Sequence, residues 1–234
     1  FFQSEKETIV DVVNELGWIN RGEMSYSRHP LAYLVEAADD NCYTIIDFED
    51  GINLGLIEEE FALEYLINLV RNTINTKKYN ALENTQDRLS YLRALSINTL
   101  INEAVEIFID NEAEILKGNF NTGLLDKSKY EAQIKDIIKI SVDKIYQSTE
   151  VVEKEIAGYE IIRTLLDVYI NAVNNKFEGK PSNYNKLILK TLPDFIQIDH
   201  EKLYNRILNI CHYVSLLSDS KAILNYKKIK GINF

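Results

Sequence analysis

The chain has 234 residues, 46 % of them hydrophobic, a formal net charge of −10 and a sequence pI near 4.9. Enough apolar side chain is present for a substantial core, which excludes a disordered chain, and the acidic balance argues against a dominant nucleic-acid surface. No run approaches the eighteen or more apolar residues of a membrane-spanning helix, so a cytoplasmic protein with no membrane partner is the expectation. Cys42 and Cys211 lie far apart in apolar helical surroundings, which suits buried free thiols in a reducing compartment.

Three prolines and nine glycines, with apolar residues mostly at helical spacing, predict an all-α, multi-helix chain. Ser4-Glu5-Lys6-Glu7 has the form of a capping box opening a helix to about Leu16, with Gly17 as its stop. Pro30 fits the first turn of a second helix running to about Asp50, which Gly51 would end, and His29 reads as the hydrogen-bonding residue at its start. A third helix is predicted over about 58–76 and a long fourth from Thr85-Gln86-Asp87 to near Gly118. Asn119 to Lys129 reads as a connector, and 130–147 resumes helical spacing. Another long helix follows over about 148–175. Gly158 within it suggests close helix packing, and Tyr159 reads as a core residue. The expected division is 1–118 and 119–234, packed as one unit. Lys227-Lys228-Ile229-Lys230 is most simply a solvated last helical turn, where cations suit the helix dipole.

The stretch Glu36 to Gly51 carries the chemistry. At 100° per residue, Glu36, Asp39, Asp40, Tyr43, Asp47 and Asp50 fall within an arc of roughly 100°, with Val35, Ala38, Cys42, Ile45 and Ile46 on the other side. The simplest reading of such a face is a solvated acidic stripe, and carboxylates at that spacing can also hold a divalent metal.

The order of residues goes further. Arg28-His29-Pro30-Leu31, Tyr33-Leu34-Val35-Glu36-Ala37-Ala38-Asp39-Asp40, Cys42-Tyr43 and Asp47-Phe48-Glu49-Asp50-Gly51 together resemble the last metal-binding motif of the HD-type deoxynucleotide triphosphohydrolases, the family that includes bacterial dGTPase. Glu153 to Tyr159 is similar to the family's Glu-x-Ala-Gly-Tyr stretch. Tyr204-Asn205-Arg206 and His212 to Asp219 resemble its C-terminal pattern, with departures at His212 and at Leu216-Leu217-Ser218.

The resemblance implies the C-terminal part of an HD-domain phosphohydrolase fold. It makes Asp39 the last carboxylate of a site for Mg²⁺ or Mn²⁺, and assigns Tyr43 and Asp47 to the sugar of a dNTP substrate. It also implies a homo-oligomer. The family's other metal ligands are a histidine and a contiguous His-Asp pair, and no His-Asp dipeptide occurs in this sequence. The chain is therefore expected to be part of a dNTP triphosphohydrolase and inactive alone, with no catalytic residue of its own. The alternative is a non-catalytic helical module for self-association or nucleotide sensing. Rival chemistries are excluded directly, since there is no Glu-x-x-His pair, no glycine-rich phosphate loop and no Cys-x-x-Cys.

Overall fold

The computed structural model describes residues 1–23 and 25–232. Apart from one short hairpin, their regular structure is helical, as the composition predicts. Two compact units divide the chain, 1–151 and 152–234. Residues 119–151, grouped above with the C-terminal region, thus pack with the first unit.

In the first unit a 3₁₀ turn at Gln3–Glu5 leads into α1 (Lys6–Leu16). The predicted Ser4 cap is not formed: α1 opens at Glu5 without a side-chain cap bond, and the Glu5 carboxylate instead accepts the Phe2 amide at 2.8 Å at the start of the 3₁₀ turn. Gly17, at φ 64°, closes α1 in the left-handed conformation that favours glycine. A small antiparallel hairpin of β1 (Asn20–Gly22) and β2 (Ser25–Tyr26) occupies the predicted loop. Next come α2 (Pro30–Asn53), α3 (Glu59–Leu69), α4 (Thr76–Asn80) and α5 (Thr85–Asp110). After them stand α6 (Glu112–Leu116) and α7 (Glu131–Ser141), the latter continued by a π-helical turn at Val142–Tyr146.

Helix α2 is central and packs on α5 and α7. Pro30 supplies the first helical position and the His29 ring nitrogen Nδ1 accepts the Leu31 amide at 3.2 Å, so the predicted opening holds in detail. The helix runs on to Asn53, past the expected stop at Gly51. Gly51 serves a packing purpose instead, because a Cβ there would lie 2.5 Å from Ile145 Cδ1 and 2.9 Å from Ile57 Cδ1.

Two other helices are shorter than their sequence spacing suggests. α3 ends at Leu69, and the predicted fourth helix breaks at Asn111, whose side chain donates back to the Ile107 carbonyl at 2.7 Å. Such local side-chain bonding offers the backbone an alternative to continuing the helix. The connector after α6 is anchored at both ends: Tyr33 donates to the Phe120 carbonyl, and the buried Glu103 carboxylate binds both the Lys129 amide, at 3.0 Å, and the Lys129 ammonium, at 2.6 Å. One apolar core, including Phe48, Leu66, Leu92, Leu100 and Ile137, unites these helices.

The second unit contains most of α8 (Thr149–Phe177), then α9 (Asn183–Leu189), α10 (Leu203–Ser215) and α11 (Asp219–Lys230). Its core gathers Leu165, Tyr169, Ala172, Ile210 and Tyr213. Arg206 is buried by structural bonds, to the His200 and Glu201 carbonyls at 2.7 Å each and to Asn174 at 3.1 Å, with its guanidinium over the Phe177 ring. The lysines of the basic cluster lie exposed in the last turn of α11, as read from the sequence.

Two side-chain expectations for α8 fail. Tyr159 is 80 % exposed, and a Cβ built on Gly158 meets nothing within 4 Å. Neither residue packs within its own unit. Both cysteines are free but exposed, not buried. No described helix is long and apolar enough to cross a membrane.

Candidate functional site

The buried face of α2 is set by Tyr33, Ala37, Asn41, Thr44, Phe48 and Gly51, spaced in steps of three or four residues. This phase turns Val35, Cys42 and Ile46 outward, which explains why a helix that places Cys42 among apolar neighbours in sequence exposes it in space. Polar groups take up core positions instead. Asn41 donates to the Ile97 carbonyl at 3.2 Å, and Glu49 accepts two bonds from Arg93 at 2.8 and 3.0 Å.

The acidic stripe therefore lies on a flank of α2, between the core and the exposed face. Along it Asp39, Tyr43 and Asp47 stand in one line, at steps of four residues and about 6 Å. Asp39 and Tyr43 are exposed, and Asp47 is half-buried. The Tyr146 hydroxyl donates to Asp47 Oδ2, and the Tyr146 ring stacks on Tyr43 with centroids 5.6 Å apart and planes at 14°. Burial, followed by the Asp47 contact, pushes the Tyr146 phenol well above its ordinary pKa, so it remains a donor throughout the physiological range. Among the described residues, Asp47 Oδ1 takes no hydrogen bond.

The π-helical turn delivers Tyr146 to this point. The Gln147 amide bonds the Val142 carbonyl at 3.1 Å, five residues back, which widens the helix end just where Ile145 tucks against Gly51. Nothing in the local sequence marks Tyr146 as part of the site. It lies 99 residues from Asp47, and only the packing of α7 on α2 brings the two together.

Beside Tyr43 a cavity of about 300 Å³ opens between Asp40 and Thr44 of α2, Asp126 of the connector, and Glu131 and Lys135 of α7. Burial first, and then the nearby Glu36, Asp39 and Asp126 carboxylates, raise the Asp40 pKa. Glu36 is itself engaged by Arg28 through two bonds of 2.6 and 2.7 Å, with Arg28 also over the Tyr33 ring. Asp39 has no comparable company: among the described residues no group of three His, Cys, Asp or Glu side chains is placed to hold a metal ion.

Fold and site together define an all-α protein whose central helix presents a carboxylate-and-tyrosine cluster. No protein-family profile matches the chain. It is 33 % identical over 236 aligned positions to a deoxyguanosinetriphosphate triphosphohydrolase-like protein of Synechocystis sp., an alignment covering all of this chain and 52 % of that protein. A protein of the same description from Pseudomonas aeruginosa is 28 % identical over 235 positions, covering 98 % of this chain and 53 % of the relative. A deoxyguanosinetriphosphate triphosphohydrolase of Yersinia enterocolitica is 30 % identical over 185 positions, covering 72 % and 36 % respectively. The chain belongs to this deoxyguanosinetriphosphate triphosphohydrolase-like family, and it spans about half the length of the curated relatives it matches.

Proposed function

We propose that this chain contributes the sugar-recognition end, and one metal-ligand carboxylate, of an enzyme that hydrolyses a dNTP to a deoxynucleoside and inorganic triphosphate. The observation that carries this is the contact of Tyr146 with Asp47 and Tyr43, in a homologue of proteins named for that reaction. Tyr146 holds one oxygen of Asp47 and leaves the other to accept a bond from the 3′-hydroxyl of the sugar. The stacked rings of Tyr43 and Tyr146 form a flat apolar floor for a deoxyribose, and a 2′-hydroxyl pressed against that floor would lose its hydrogen bonds. The cluster thus favours the deoxy sugar by leaving the ribose hydroxyl unsatisfied.

In the reaction, water adds at the α-phosphorus, the bond to the 5′-oxygen breaks, and that oxygen leaves with a proton as the deoxynucleoside. A divalent ion would supply Lewis acidity there, and Asp39 would be one of its ligands. Its remaining ligands lie outside this chain, so the activity belongs to a protein carrying the rest of the relatives' length.

The test measures triphosphate released from each dNTP with Mg²⁺ or Mn²⁺, comparing such a complete protein with the 234-residue chain. Activity confined to the complete protein is expected, and Asp39→Ala should abolish it while the circular dichroism stays unchanged. Asp47→Ala should narrow the preference for dNTPs over ribonucleotides. Silence of the complete protein towards every dNTP would overturn the reading in favour of a nucleotide-sensing or assembly module.

A further inference from the structure

The cavity beside Tyr43 has a lining with no role in the proposed reaction. Its walls are apolar: Leu125 and Ile134 are buried, and Ile138 is half-buried. Asp40 of α2 and Asp126 of the connector are exposed at its mouth, close enough for the Asp126 charge to act on Asp40. Deeper lies Thr44, four residues after Asp40 and therefore on the same face of α2, with only 3 % of its surface exposed. A threonine within a helix commonly returns its hydroxyl to the carbonyl four residues back, but among the described residues the Thr44 hydroxyl has no partner.

Acceptors therefore gather at this cavity without a donor. They are the Asp40 carboxylate, the Thr44 hydroxyl and Asp126 Oδ1, the other Asp126 oxygen already holding the Gly123 amide at 2.9 Å. Cations nearby are committed elsewhere: Arg28 to Glu36, Lys135 to Glu131, and Lys127 over the Phe120 ring. Two kinds of occupant are excluded by this lining. A phosphate or any other anion would face uncompensated carboxylates, and among the described residues no three acidic side chains are placed to hold a metal ion. An ammonium group offers three N–H donors and no acceptor, and the methylenes attached to it match the apolar walls.

We infer that this cavity is a binding site for an alkylammonium group, held by Asp40, Thr44 and Asp126 with its methylenes against Leu125, Ile134 and Ile138. The same chemistry comes from two sources: a free aliphatic diamine or polyamine, or a lysine side chain from the part of the relatives' length that this chain does not span. The site does not depend on the triphosphohydrolase reading, since neither Asp39 nor Asp47 belongs to it.

Calorimetric titration of the 234-residue chain with the diamine putrescine should show saturable binding of one molecule per chain, with a matching rise in melting temperature. Butanediol, which keeps the length without the charge, and tetramethylammonium, a cation without N–H donors, should not bind. Asp126→Asn and Thr44→Val should each weaken putrescine about tenfold, because each takes away a charge or a hydrogen bond to a charged group. Asp126 is exposed, so its variant reports on binding even where loss of the buried Thr44 hydroxyl disturbs the fold. Asp194→Asn, in the second unit, should change nothing. Repeating the titration on a protein with the relatives' full length separates the two sources: binding there as well identifies a free amine, and its loss there identifies a lysine side chain already in place. Absence of saturable binding to the 234-residue chain would overturn the proposal. So would an equal response to tetramethylammonium, to Mg²⁺ or to NaCl of the same ionic strength, or binding indifferent to both substitutions.

Discussion

Replacing Gly51 with alanine tests how tightly the site is built, because one methyl group there would press on the segment that carries Tyr146. Its Cβ would lie 2.5 Å from Ile145 Cδ1, 2.8 Å from Ile145 Cγ1 and 2.9 Å from Ile57 Cδ1, against a comfortable carbon–carbon separation of about 3.5–4.0 Å. Both isoleucines are buried, so neither can swing into solvent. Overpacking of a core typically costs about 1–3 kcal/mol, and three contacts under 3 Å argue for the upper part of that range. Alanine in place of a mid-helix glycine returns about 1 kcal/mol. The net expectation is a loss of about 1–2 kcal/mol, a fall of roughly 0.5–1 M in the urea midpoint of the first unit followed by circular dichroism. Ile145→Val removes Cδ1, the nearest atom, so adding it to Gly51→Ala should recover part of the loss even though it is destabilising by itself. An unchanged or higher midpoint in Gly51→Ala, or losses that simply add in the double variant, would refute the packing argument.

Two further perturbations address the charges. The folded pKa of Asp40 lies above its unfolded value, so its protonated form is the one the fold favours, and stability is lost as pH rises through the raised pKa. Asp40→Asn should therefore raise the melting temperature near pH 7, with an advantage that fades below the ordinary carboxylate range near pH 3.9; thermal melts across pH check this, and a gain independent of pH would contradict it. Arg93→Met leaves the Glu49 carboxylate, whose side chain is 6 % exposed, without the two bonds it accepts. Because Arg93 is itself 42 % exposed, a loss of about 2 kcal/mol is expected rather than the 3–5 of a fully buried pair, and Glu49→Gln in the same background should recover part of it in urea melts.

Helical class, the opening of α2 at His29 and Pro30, and the single line of Asp39, Tyr43 and Asp47 were all legible in the sequence, because each depends on local preferences or on the fixed period of one helix. The inward face of α2 was not legible. Its core positions include Asn41 and Glu49, whose burial is made tolerable by the Ile97 carbonyl and by Arg93 on another helix, and a pattern of apolar residues cannot register partners supplied from elsewhere in the chain. Tyr146 escaped for the same reason. Its membership of the site comes from tertiary packing across 99 residues and from a π-helical turn that no residue type announces. At Asn111 a plausible continuous helix gave way to a side chain competing for the backbone, a local effect too small to outweigh the strong apolar period on both sides. Gly158 and Tyr159 were read as interior because glycine and tyrosine within an amphipathic helix usually are; on α8 they face outward together.

The π-helical turn also bears on how this protein tolerates changes in length. Every residue added or removed in a helix rotates all that follows by about 100°, so one insertion or deletion between Glu131 and Ile145 would aim the Tyr146 hydroxyl away from Asp47 while leaving every side chain of the site unaltered. A change of the same size in the stretch from Asn121 to Lys127 would be taken up by loop and 3₁₀ turn before α7 begins. Among variants of this chain that keep the Tyr146 contact, gaps should therefore gather before α7 and spare the segment from its first turn to Tyr146.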